Sequence, residues 1–378
     1  MLNKKANNSF DHLRVAIVHE ILTQMGGAER VLKEFLEIFP QATIYTLIYN
    51  SDVCGQTFGK YKIITSWLQK LPFSKKIYKK LLPFYPNVIE NWNLKNYDLV
   101  ISLTSALVKG VKKRNPHQIH ICYCNTPTRY LWIDKNFYLE TSVPKILRPL
   151  LDLYLPYLKK WDFRASQRPD FYIANSREVQ KRIKSIYGRE SIVIYPSVET
   201  ELFLPKTKKQ DYYLMGGRLV PYKKYDIAIK AFNQMPEKKL IIAGAGSDRN
   251  RLEKLAISEN ISFLDRVPDN RLVSLYQNAR AYIFPALEDF GITPLEAMSA
   301  GTPVIAYKKG GALETVIEGK TGIFFDRQNY QNVISAIKIF EKKKFSSQEC
   351  RERALQFTPE QFRMKIKDFI KLKLRMNN

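Results

Sequence analysis

The chain contains little cysteine, and its cysteines lack the spacing of a metal site. Four are present in 378 residues, at Cys54, Cys122, Cys124 and Cys350. Cys122 and Cys124 lie in the stretch QIHICYC, where the alternation of a strand places them on one face. The set shows none of the paired motifs that bind zinc. We therefore predict four buried thiols.

Long apolar runs are also missing. The longest uncharged, mainly apolar run extends from Leu99 to Val108, whereas a membrane-spanning helix needs about 18 to 20 such residues. The first residues, MLNKKANNSF, lack the apolar core of a signal peptide. We therefore expect a cytoplasmic protein without a membrane-spanning segment.

Acidic residues are scarce. The chain contains 36 Asp and Glu but 61 Lys and Arg, which gives it a net charge of +25. None occurs between Asp52 and Glu90, where lysines are interleaved with large apolar side chains. Residues 60–85 are called the basic segment here, and its lysines are Lys60, Lys62, Lys70, Lys75, Lys76, Lys79 and Lys80. This mixture suits an anionic membrane surface, because lysines attract lipid phosphates while aromatic rings settle at the headgroup boundary.

The positive charge has two other interpretations. A solvated basic face over an ordinary core would have the same composition as the basic segment. A nucleic-acid partner is not expected, because no helix-turn-helix, zinc-finger or RNA-binding signature accompanies the charge.

The length and the order of apolar stretches predict an α/β protein with two domains. A chain of 378 residues accommodates two cores of about 180 residues each. Short apolar stretches alternate with amphipathic ones, which predicts parallel sheets covered by helices on both faces. The clearest expected strands are residues 13–18, 98–103 and 118–124 in the first half, then DYYLMGG, LIIAGAG, ISFL, AYIFP and PVIAY in the second.

The domain boundaries follow from the stretch YPSVETELFLPKTKKQ, residues 195–210, which carries prolines, ends in a charge run and separates the two alternating series. We expect an N-terminal Rossmann-like domain at residues 1–195 and a second Rossmann-like domain at residues 196–355. A C-terminal helix at residues 356–378 is expected to pack back toward the N-terminal domain.

The candidate binding residues lie where expected strands end, since ligands of parallel sheets bind beyond the carboxyl ends of the strands. Gly26 and Gly27 follow the first strand and precede a helix, where glycine lets backbone amides approach an anion closely. A plain tight turn is the alternative. Arg218 and Lys223 follow the strand YYLMGG, and two cations spaced across one loop can neutralise a diphosphate.

Two glutamates in the stretch PALEDFGITPLEAMSAG form the most informative feature. Proline favours the first helical position, so we expect Thr293 to cap a helix that starts at Pro294 and contains Glu296. Glu288 then lies on the preceding loop. The amides of Phe290, Gly291 and Ile292 would lie near the helix N-terminus, where an anion or a sugar oxygen can bind. Alternatively, Glu296 forms a capping box with Thr293 and has no ligand.

An ordered set of motifs resembles a known family. GGAER, GRLVPYKK, EDFGITPLE with its continuation AMSAGTPVIAYKKGGALETV, and TGIFF are similar to the motifs of retaining family 4 glycosyltransferases of the GT-B fold. In that fold two facing Rossmann-like domains hold a nucleotide-sugar in the cleft between them. The stretches CYCNTPTRYLW, ASQRPDFYIANSREVQKRI and VIYPSVETELF are most similar to the branch that contains bacterial O-antigen mannosyltransferases.

The resemblance implies a role for each candidate residue. Arg218 and Lys223 would bind the donor diphosphate and stabilise charge as the nucleotide leaves. Glu296 would bind the ribose hydroxyls, and Glu288 would bind the transferred sugar. The two carboxylates would therefore hold two sugars of one donor, unlike the carboxylate pair of glycoside hydrolases, which flanks one bond. Gly26 and Gly27 would also contact the donor. The domain at residues 1–195 would bind the acceptor, and the domain at residues 196–355 would bind the donor.

The favoured mechanism of such retaining transferases is front-face attack assisted by the leaving phosphate. It requires no DxD-like metal site and no cofactor, and we expect neither here. Many relatives carry a histidine near the donor sugar where this chain has Asn125, which can exchange hydrogen bonds but cannot titrate. We expect Asn125 to act as a polar contact. His19 is a second polar candidate, with a purely structural histidine as the alternative.

The expected function is the transfer of a hexose, mannose from GDP-mannose, to a lipid-linked glycan in O-antigen or other cell-surface polysaccharide synthesis. The enzyme would be peripheral on the inner face of the cytoplasmic membrane. The alternatives are another nucleotide-sugar-dependent GT-B enzyme, such as a UDP-sugar transferase, an epimerase or a phosphorylase, and a basic nucleic-acid-binding protein.

Overall fold

The computed structural model describes residues 10–133, 135, 139, 145–206 and 209–376. The chain divides into two compact units. Unit 1 runs up to Tyr195 and resumes at Phe362, and unit 2 comprises Pro196–Gln361. Each unit is built on its own sheet.

Within the described residues, the sheet of unit 1 has seven strands in the order β3-β2-β1-β4-β5-β6-β7. Every recorded pairing is parallel. The strands are β1 Val15–Leu22, β2 Thr43–Tyr49, β3 Ile63–Thr65, β4 Leu99–Thr104, β5 Ile119–Cys124, β6 Phe171–Ala174 and β7 Ile192–Val193. β1, β4 and β5 are buried almost throughout, as expected for parallel strands covered on both faces.

Helices cover both faces of this sheet. They are α1 Gly27–Ile38, α2 Ser51–Phe58, α3 Ser74–Ile77, α4 Tyr85–Asn91, α5 Arg129–Trp132, α6 Arg148–Ala165 and α7 Arg177–Arg182. α1 buries Val31, Leu32 and Phe35 in one core, whereas α6 buries Leu155 and Leu158 in another. The sheet therefore separates two apolar layers.

A further helix, α15 Pro359–Arg375, completes unit 1. Its buried residues Phe362, Ile366, Phe369 and Ile370 recur at helical spacing and belong to the core that contains α1. The Phe362 ring lies edge-on to Phe35, with 5.7 Å between centroids. The helix thus covers apolar surface that β5 and α1 would otherwise expose.

Unit 2 has a six-stranded sheet in the described residues, in the order β10-β9-β8-β11-β12-β13. All its recorded pairings are parallel. The strands are β8 Tyr212–Gly216, β9 Lys239–Ala243, β10 Ile261–Leu264, β11 Ala281–Phe284, β12 Val304–Tyr307 and β13 Gly322–Phe325. The helices are α8 Tyr225–Phe232, α9 Arg249–Leu255, α10 Asp269–Asn278, α11 Ile292–Ser299, α12 Ala312–Thr315, α13 Tyr330–Glu341 and α14 Ser347–Ala354.

Both sheets confirm the expectation of two Rossmann-like folds. In each one the strand order reverses beside the unit's first strand, between β1 and β4 in unit 1 and between β8 and β11 in unit 2. Every strand expected in the second half is present, and each expected strand of the first half overlaps a real one. The additional strands β2, β3, β6, β7 and β13 were not predicted.

The basic segment contains no long helix. It consists of β3, the 3₁₀ turns Trp67–Lys70 and Tyr78–Phe84 and the short helix α3. Its lysines at 70, 75, 76, 79 and 80 are exposed. Trp67, Phe73 and Phe84 are exposed as well, and 75% of the Phe73 side chain is accessible to solvent.

All four cysteines are free and buried, which confirms the prediction from their spacing. Cys122 and Cys124 share one small apolar cluster with Tyr172. Burial raises the pKa of Cys122 to about 12. None of the helices in the described part of the chain combines the length and the apolar character that crossing a bilayer demands.

Candidate functional site

The candidate residues of unit 2 follow β8 and β11, the two neighbouring strands at which the strand order reverses. Arg218 and Lys223 lie after β8, and Glu288 lies after β11. Residues after parallel neighbours meet at the same sheet edge, and the reversal point opens a crevice where such folds bind ligands. The fold therefore brings the candidates together, although they are distant in sequence.

The ammonium of Lys223 forms an ion pair with Glu288 Oε1. Both side chains are mostly buried, with 13% and 18% of their surfaces exposed. Burial alone would lower the pKa of Lys223, but attraction to Glu288 outweighs it and raises the pKa above its usual value. Lys223 therefore stays charged at neutral pH, and a donor phosphate would find a fixed cation there.

Arg218 lies on the same loop with an exposed backbone and side chain. Its Nη2 atom is 3.4 Å from the hydroxyl of Tyr222. An exposed fork of N–H donors can rotate toward a bound phosphate and contact two of its oxygens.

Glu296 lies in α11, and the structure corrects the predicted start of this helix. The helix begins at Ile292, not at Pro294, and its N-cap is Gly291 with no side-chain cap. The alternative interpretation, in which Thr293 and Glu296 form a capping box, is therefore wrong. Gly291 adopts φ +84°, a left-handed conformation that glycine reaches at little cost, so the chain turns earlier than the proline suggested.

The Glu296 carboxylate is instead buried and accepts a hydrogen bond from the Tyr276 hydroxyl at 3.0 Å. Tyr276 itself packs against Tyr282, with 5.5 Å between ring centroids. The hydroxyl of Tyr282 donates to Gly216 O at 2.9 Å, at the end of β8. A tyrosine pair thus connects the Glu296 carboxylate to the start of the loop that carries Arg218.

Phe290, Gly291 and Ile292 occupy the turn into α11, as the sequence predicted. The Phe290 side chain is buried, and its ring packs against Phe357. The N–H groups of the first helical turn have no intrahelical acceptor and concentrate positive charge at this end. The turn therefore places backbone donors close along the chain to Glu288.

Two glycines that received no role from the sequence support these loops. A Cβ at Gly246 would lie 2.1 Å from Leu219 O, and one at Gly311 would lie 2.2 Å from Phe290 O. Hydrogen bonds join the same loops, from Leu219 N to Ala245 O and from Gly311 N to Glu288 O, both at 2.9 Å. The sequence GAG, which contains Gly246, and the sequence KKGG, which contains Gly311, could have indicated these contacts, because neighbouring glycines in a loop allow two backbones to approach closely.

In unit 1, Gly26 and Gly27 lie at the N-terminus of α1, after β1. The Gly26 N–H donates to Glu29 Oε2 at 2.8 Å, so this amide is already engaged within the helix cap. The Glu29 side chain is itself buried beside the start of this helix. Of the two predicted glycines, Gly27 has the backbone that is more exposed.

Asn125 follows β5, and hydrogen bonds hold both its backbone and its side chain. Its Nδ2 lies 3.3 Å from Ser105 Oγ, and its carbonyl accepts from Asn175 Nδ2 at 3.0 Å. The neighbouring loop after β4 is held by Glu20, which accepts from Ser105 N at 2.8 Å and Ala106 N at 2.6 Å. No motif in the sequence indicated Glu20, which lies within β1.

His19 lies on β1 and is 3% exposed. Burial lowers its pKa to about 4, so the ring is neutral at pH 7. Its Nε2 is 3.9 Å from Glu29 Oε1. The residue is thus near the Gly26 loop, but its burial fits a structural histidine as well as a ligand-binding one.

In the ranges that the structure describes, no group of three or more His, Cys, Asp or Glu side chains is placed to hold a metal ion. The predicted site residues instead form two sets, one in each unit. Unit 2 holds Arg218, Lys223, Glu288, Glu296 and the turn at residues 290–292, and unit 1 holds Gly26, Gly27, His19 and Asn125.

Comparison with protein families gives two adjoining matches. The family described as "Glycosyltransferase Family 4" matches residues 25–202, and "Glycosyl transferases group 1" matches residues 200–357. The two matches meet near the boundary between the structural units.

Curated proteins match over shorter regions. The chain is 29% identical over 192 residues to a GDP-mannose-dependent alpha-(1-6)-phosphatidylinositol monomannoside mannosyltransferase of Mycolicibacterium smegmatis, covering 43% of this chain and 50% of that protein. It is 38% identical over 189 residues to a D-inositol 3-phosphate glycosyltransferase of Corynebacterium glutamicum, covering 42% of this chain and 45% of that protein. The matches thus span about half the length of these curated relatives.

Solved structures match over nearly the whole chain. Sucrose-phosphate synthase from Thermosynechococcus elongatus has a TM-score of 0.73 at 17% identity, covering 96% of this chain and all of that one. Anabaena HepE in complex with UDP and glucose has a TM-score of 0.69 at 18% identity, covering 95% of this chain and 100% of that chain. These likenesses show that the fold is shared.

Proposed function

Because the chain belongs to the family 4 glycosyltransferases of GT-B fold, we propose that it transfers a hexose from a nucleotide-sugar to a glycan acceptor with retention. The observation that carries the proposal is the meeting of Lys223, Glu288 and Arg218 at the reversal point of the unit 2 sheet. Such a crevice with cations and a carboxylate suits a ligand that carries both phosphates and hydroxyls.

In this proposal the donor diphosphate binds Arg218 and Lys223, and these two cations stabilise the charge that develops as the nucleotide leaves. Glu288 accepts hydrogen bonds from hydroxyls of the transferred hexose, and the amides at residues 290–292 complete that subsite. Glu296 binds the ribose hydroxyls while Tyr276 orients its second oxygen. Neither glutamate acts as an acid or a base, and the reaction uses no metal ion and no cofactor.

Unit 1 binds the acceptor in this proposal, and Gly27 and Asn125 at its sheet edge are polar contacts for the donor. Gly26 contributes through its close backbone and not through its N–H, which Glu29 occupies. Asn125 acts as a fixed hydrogen-bonding group because Ser105 and Asn175 orient it from two sides. An amide does not titrate, so no proton transfer depends on this position.

For the donor we propose GDP-mannose, and for the acceptor a lipid-linked glycan of cell-surface polysaccharide or O-antigen synthesis. The support is the similarity of CYCNTPTRYLW and neighbouring stretches to O-antigen mannosyltransferases. A match to a GDP-mannose-dependent enzyme of Mycolicibacterium smegmatis is consistent with this choice.

The basic segment docks the protein on the inner face of the cytoplasmic membrane in this proposal. Five exposed lysines and three exposed aromatic rings lie in this segment, and the Trp67 and Phe84 rings pack edge to face with 5.9 Å between centroids. Phe73 holds φ +56° at the tip of a turn, a strained conformation for a bulky residue. Strain that exposes an aromatic side chain is typical of a functional position.

A thermal-shift panel of GDP-, UDP-, ADP- and dTDP-sugars tests the donor, because a bound ligand stabilises the folded state by mass action. GDP-mannose should raise the melting temperature most, and transfer to an acceptor analogue should follow. A larger shift with a UDP-sugar would replace the donor assignment, and product formed without acceptor would favour an epimerase. Salt-sensitive DNA binding without any nucleotide-sugar shift would overturn the transferase proposal.

A further inference from the structure

Unit 1 contains a basic cavity that none of the site residues above explains. It has a volume of about 350 Å³ and lies between α4 and α6. Its polar and aromatic lining includes Lys112, Arg164, Arg168, Glu90, Tyr157 and Trp161. Three cations against one carboxylate leave an excess of positive charge, which favours an anionic occupant.

The floor of the cavity is rigid. Glu90 accepts from Arg168 Nη2 at 2.5 Å, from Trp161 Nε1 at 2.6 Å and from Lys112 Nζ at 2.8 Å. The Arg168 guanidinium also lies over the Trp161 ring, 5.7 Å from its centroid. These contacts fix one carboxylate among three donors, so Glu90 organises the cavity and does not occupy it.

Two cations at the mouth are available to a ligand. Arg164 is exposed, and no ion pair for it is recorded among the described residues. Lys112 is 44% exposed, although it also contacts Glu90. An arginine fork beside an ammonium is the combination that binds a phosphate group, because the fork contacts two oxygens while the ammonium adds charge.

The cavity adjoins an apolar stripe on α6. Leu150, Leu153 and Tyr157 are 67%, 79% and 54% exposed and recur at helical spacing, so they share one face. Tyr157 also lines the cavity, and Arg164 continues the same face one heptad further along the helix. The opposite face of α6 is buried through Leu155 and Leu158. The exposed apolar stripe thus ends beside the cations at the opening of the cavity.

The stripe and the cavity also adjoin the basic segment. The Tyr154 hydroxyl of α6 donates to Pro83 O at 3.2 Å, and its ring packs against Tyr157 with 5.6 Å between centroids. Pro86 lines the cavity and follows the exposed Phe84 in sequence. The end of the basic segment, the α6 stripe and the cavity therefore adjoin one another.

We propose that this cavity binds the phosphate headgroup of an anionic phospholipid while the α6 stripe enters the acyl boundary. The proposal rests on the membrane docking proposed above and adds a defined headgroup site to it. A bilayer is the occupant that offers phosphates and an apolar layer side by side, which is the arrangement of Arg164 and Tyr157 on α6.

The test compares a double variant, Lys112→Gln with Arg164→Gln, with a matched control, Lys181→Gln with Lys230→Gln. The control removes the same charge from exposed positions outside the cavity and the basic segment. Vesicles of phosphatidylcholine with and without phosphatidylglycerol are sedimented with each protein, and soluble dihexanoyl phosphatidylglycerol and inorganic phosphate are titrated separately. Thermal melts establish that each variant is folded.

The cavity variant should lose binding to phosphatidylglycerol vesicles by roughly fivefold or more, whereas the control loses less than about twofold. Dihexanoyl phosphatidylglycerol should bind the wild type and not the cavity variant, and inorganic phosphate should compete weakly. Equal vesicle binding by the two variants would overturn the headgroup site even if the basic segment docks. Inorganic phosphate binding as tightly as the lipid would overturn the lipid as the occupant.

If the wild type does not bind vesicles at all, the docking proposed for the basic segment fails. The titration with dihexanoyl phosphatidylglycerol then still decides the headgroup site. Binding that Lys112→Gln with Arg164→Gln removes would support the site, and the absence of binding would overturn it.

Discussion

Lys223 and Glu288 form an ion pair across the reversal point of the unit 2 sheet, with both side chains mostly buried. In the proposed function, the pair combines a cation for phosphate with a carboxylate for hydroxyls in one crevice. Because each charge neutralises the other before a donor binds, neither is left unpaired in a site of low dielectric. A donor would exchange this contact for its own phosphate and hydroxyl groups.

The first prediction concerns the diphosphate contacts. Arg218→Ala and Lys223→Ala should each lower the transfer rate by roughly tenfold to a thousandfold, the loss expected for one charge-stabilising contact. Lys223→Ala should also lower the melting temperature, because Glu288 would lose its ion-pair partner in a mostly buried position. Steady-state kinetics and thermal melts check both, with the exposed Lys230→Ala as the control.

Activity of the wild type should persist in excess EDTA. Full activity in both Arg218→Ala and Lys223→Ala would contradict the diphosphate assignment. Loss of activity in EDTA would contradict a metal-free reaction.

The second prediction separates two roles of Glu296. Glu296→Gln keeps an acceptor for the Tyr276 hydroxyl, so the melting temperature should change little. Donor affinity should fall, because the ribose hydroxyls lose a charged acceptor. Tyr276→Phe is the matched control, since it removes the hydroxyl and leaves the carboxylate. Unchanged donor affinity with a lower melting temperature would assign Glu296 a structural role.

The third prediction tests the basic segment. A variant with Lys70, Lys75, Lys76, Lys79 and Lys80 changed to glutamine should lose binding to anionic vesicles, since each lysine near such a surface contributes about 1 kcal/mol. Added salt should weaken wild-type binding in the same assay, because exposed charges are screened over about 8 Å at physiological ionic strength. Sedimentation with neutral and anionic vesicles measures both effects. Equal binding by the two proteins would exclude the segment as the docking element.

The fourth prediction concerns a loop contact. Gly311→Ala would place a methyl group 2.2 Å from Phe290 O, so the turn that follows Glu288 must move. Donor affinity and rate should both fall, with a loss of stability of about 1 to 3 kcal/mol. Leu313→Ala alters an exposed residue of α12, the helix that Gly311 precedes, and should have little effect. Urea unfolding and donor titration measure the two variants, and equal results would remove the glycine requirement.

The fifth prediction is a pH dependence of stability. Burial lowers the pKa of His19 to about 4 and of His120 to about 3, whereas an unfolded histidine titrates near about 6.5. The unfolded state thus binds more protons below pH 6.5, so stability is complete above that pH and falls as the pH decreases toward 4. Each histidine contributes a slope of up to about 1.4 kcal/mol per pH unit.

Urea unfolding at several pH values measures this slope. His120→Gln should reduce it, and the exposed His117→Gln should leave it unchanged. A slope that is the same in all three proteins would show that other groups cause the acid sensitivity.

Much of unit 2 could be predicted from the sequence because its strands are short, apolar and separated by loops rich in glycine. The positions of Arg218, Lys223 and Glu288 followed, since the ends of parallel strands gather ligand-binding residues. The start of α11 could not be predicted, because the left-handed Gly291 begins the helix before the proline. A local proline rule cannot foresee a backbone conformation that packing against Phe284 constrains.

Unit 1 was harder to predict for physical reasons. β3 and β7 contain three and two residues, too few to show a periodic pattern. The role of Glu20 could not be predicted, because it depends on the pairing of β1 with β4, which brings its carboxylate to the Ser105 amide. The cavity between α4 and α6 depends on Glu90 meeting Arg168, a long-range contact that no local motif encodes.

The membership of α15 in unit 1 determines the order in which the two units can mature during synthesis. A ribosome completes all of unit 2 before it makes Phe362, Ile366, Phe369 and Ile370, whose side chains fill the core beside α1. Until then Phe35 and Tyr123 lack the ring that covers them. Unit 2 is continuous in the chain and can fold as it emerges, as domains do. Synthesis of unit 1 therefore begins before that of unit 2 but ends after it. Until α15 is made, unit 1 exposes an apolar surface that chaperones can shield.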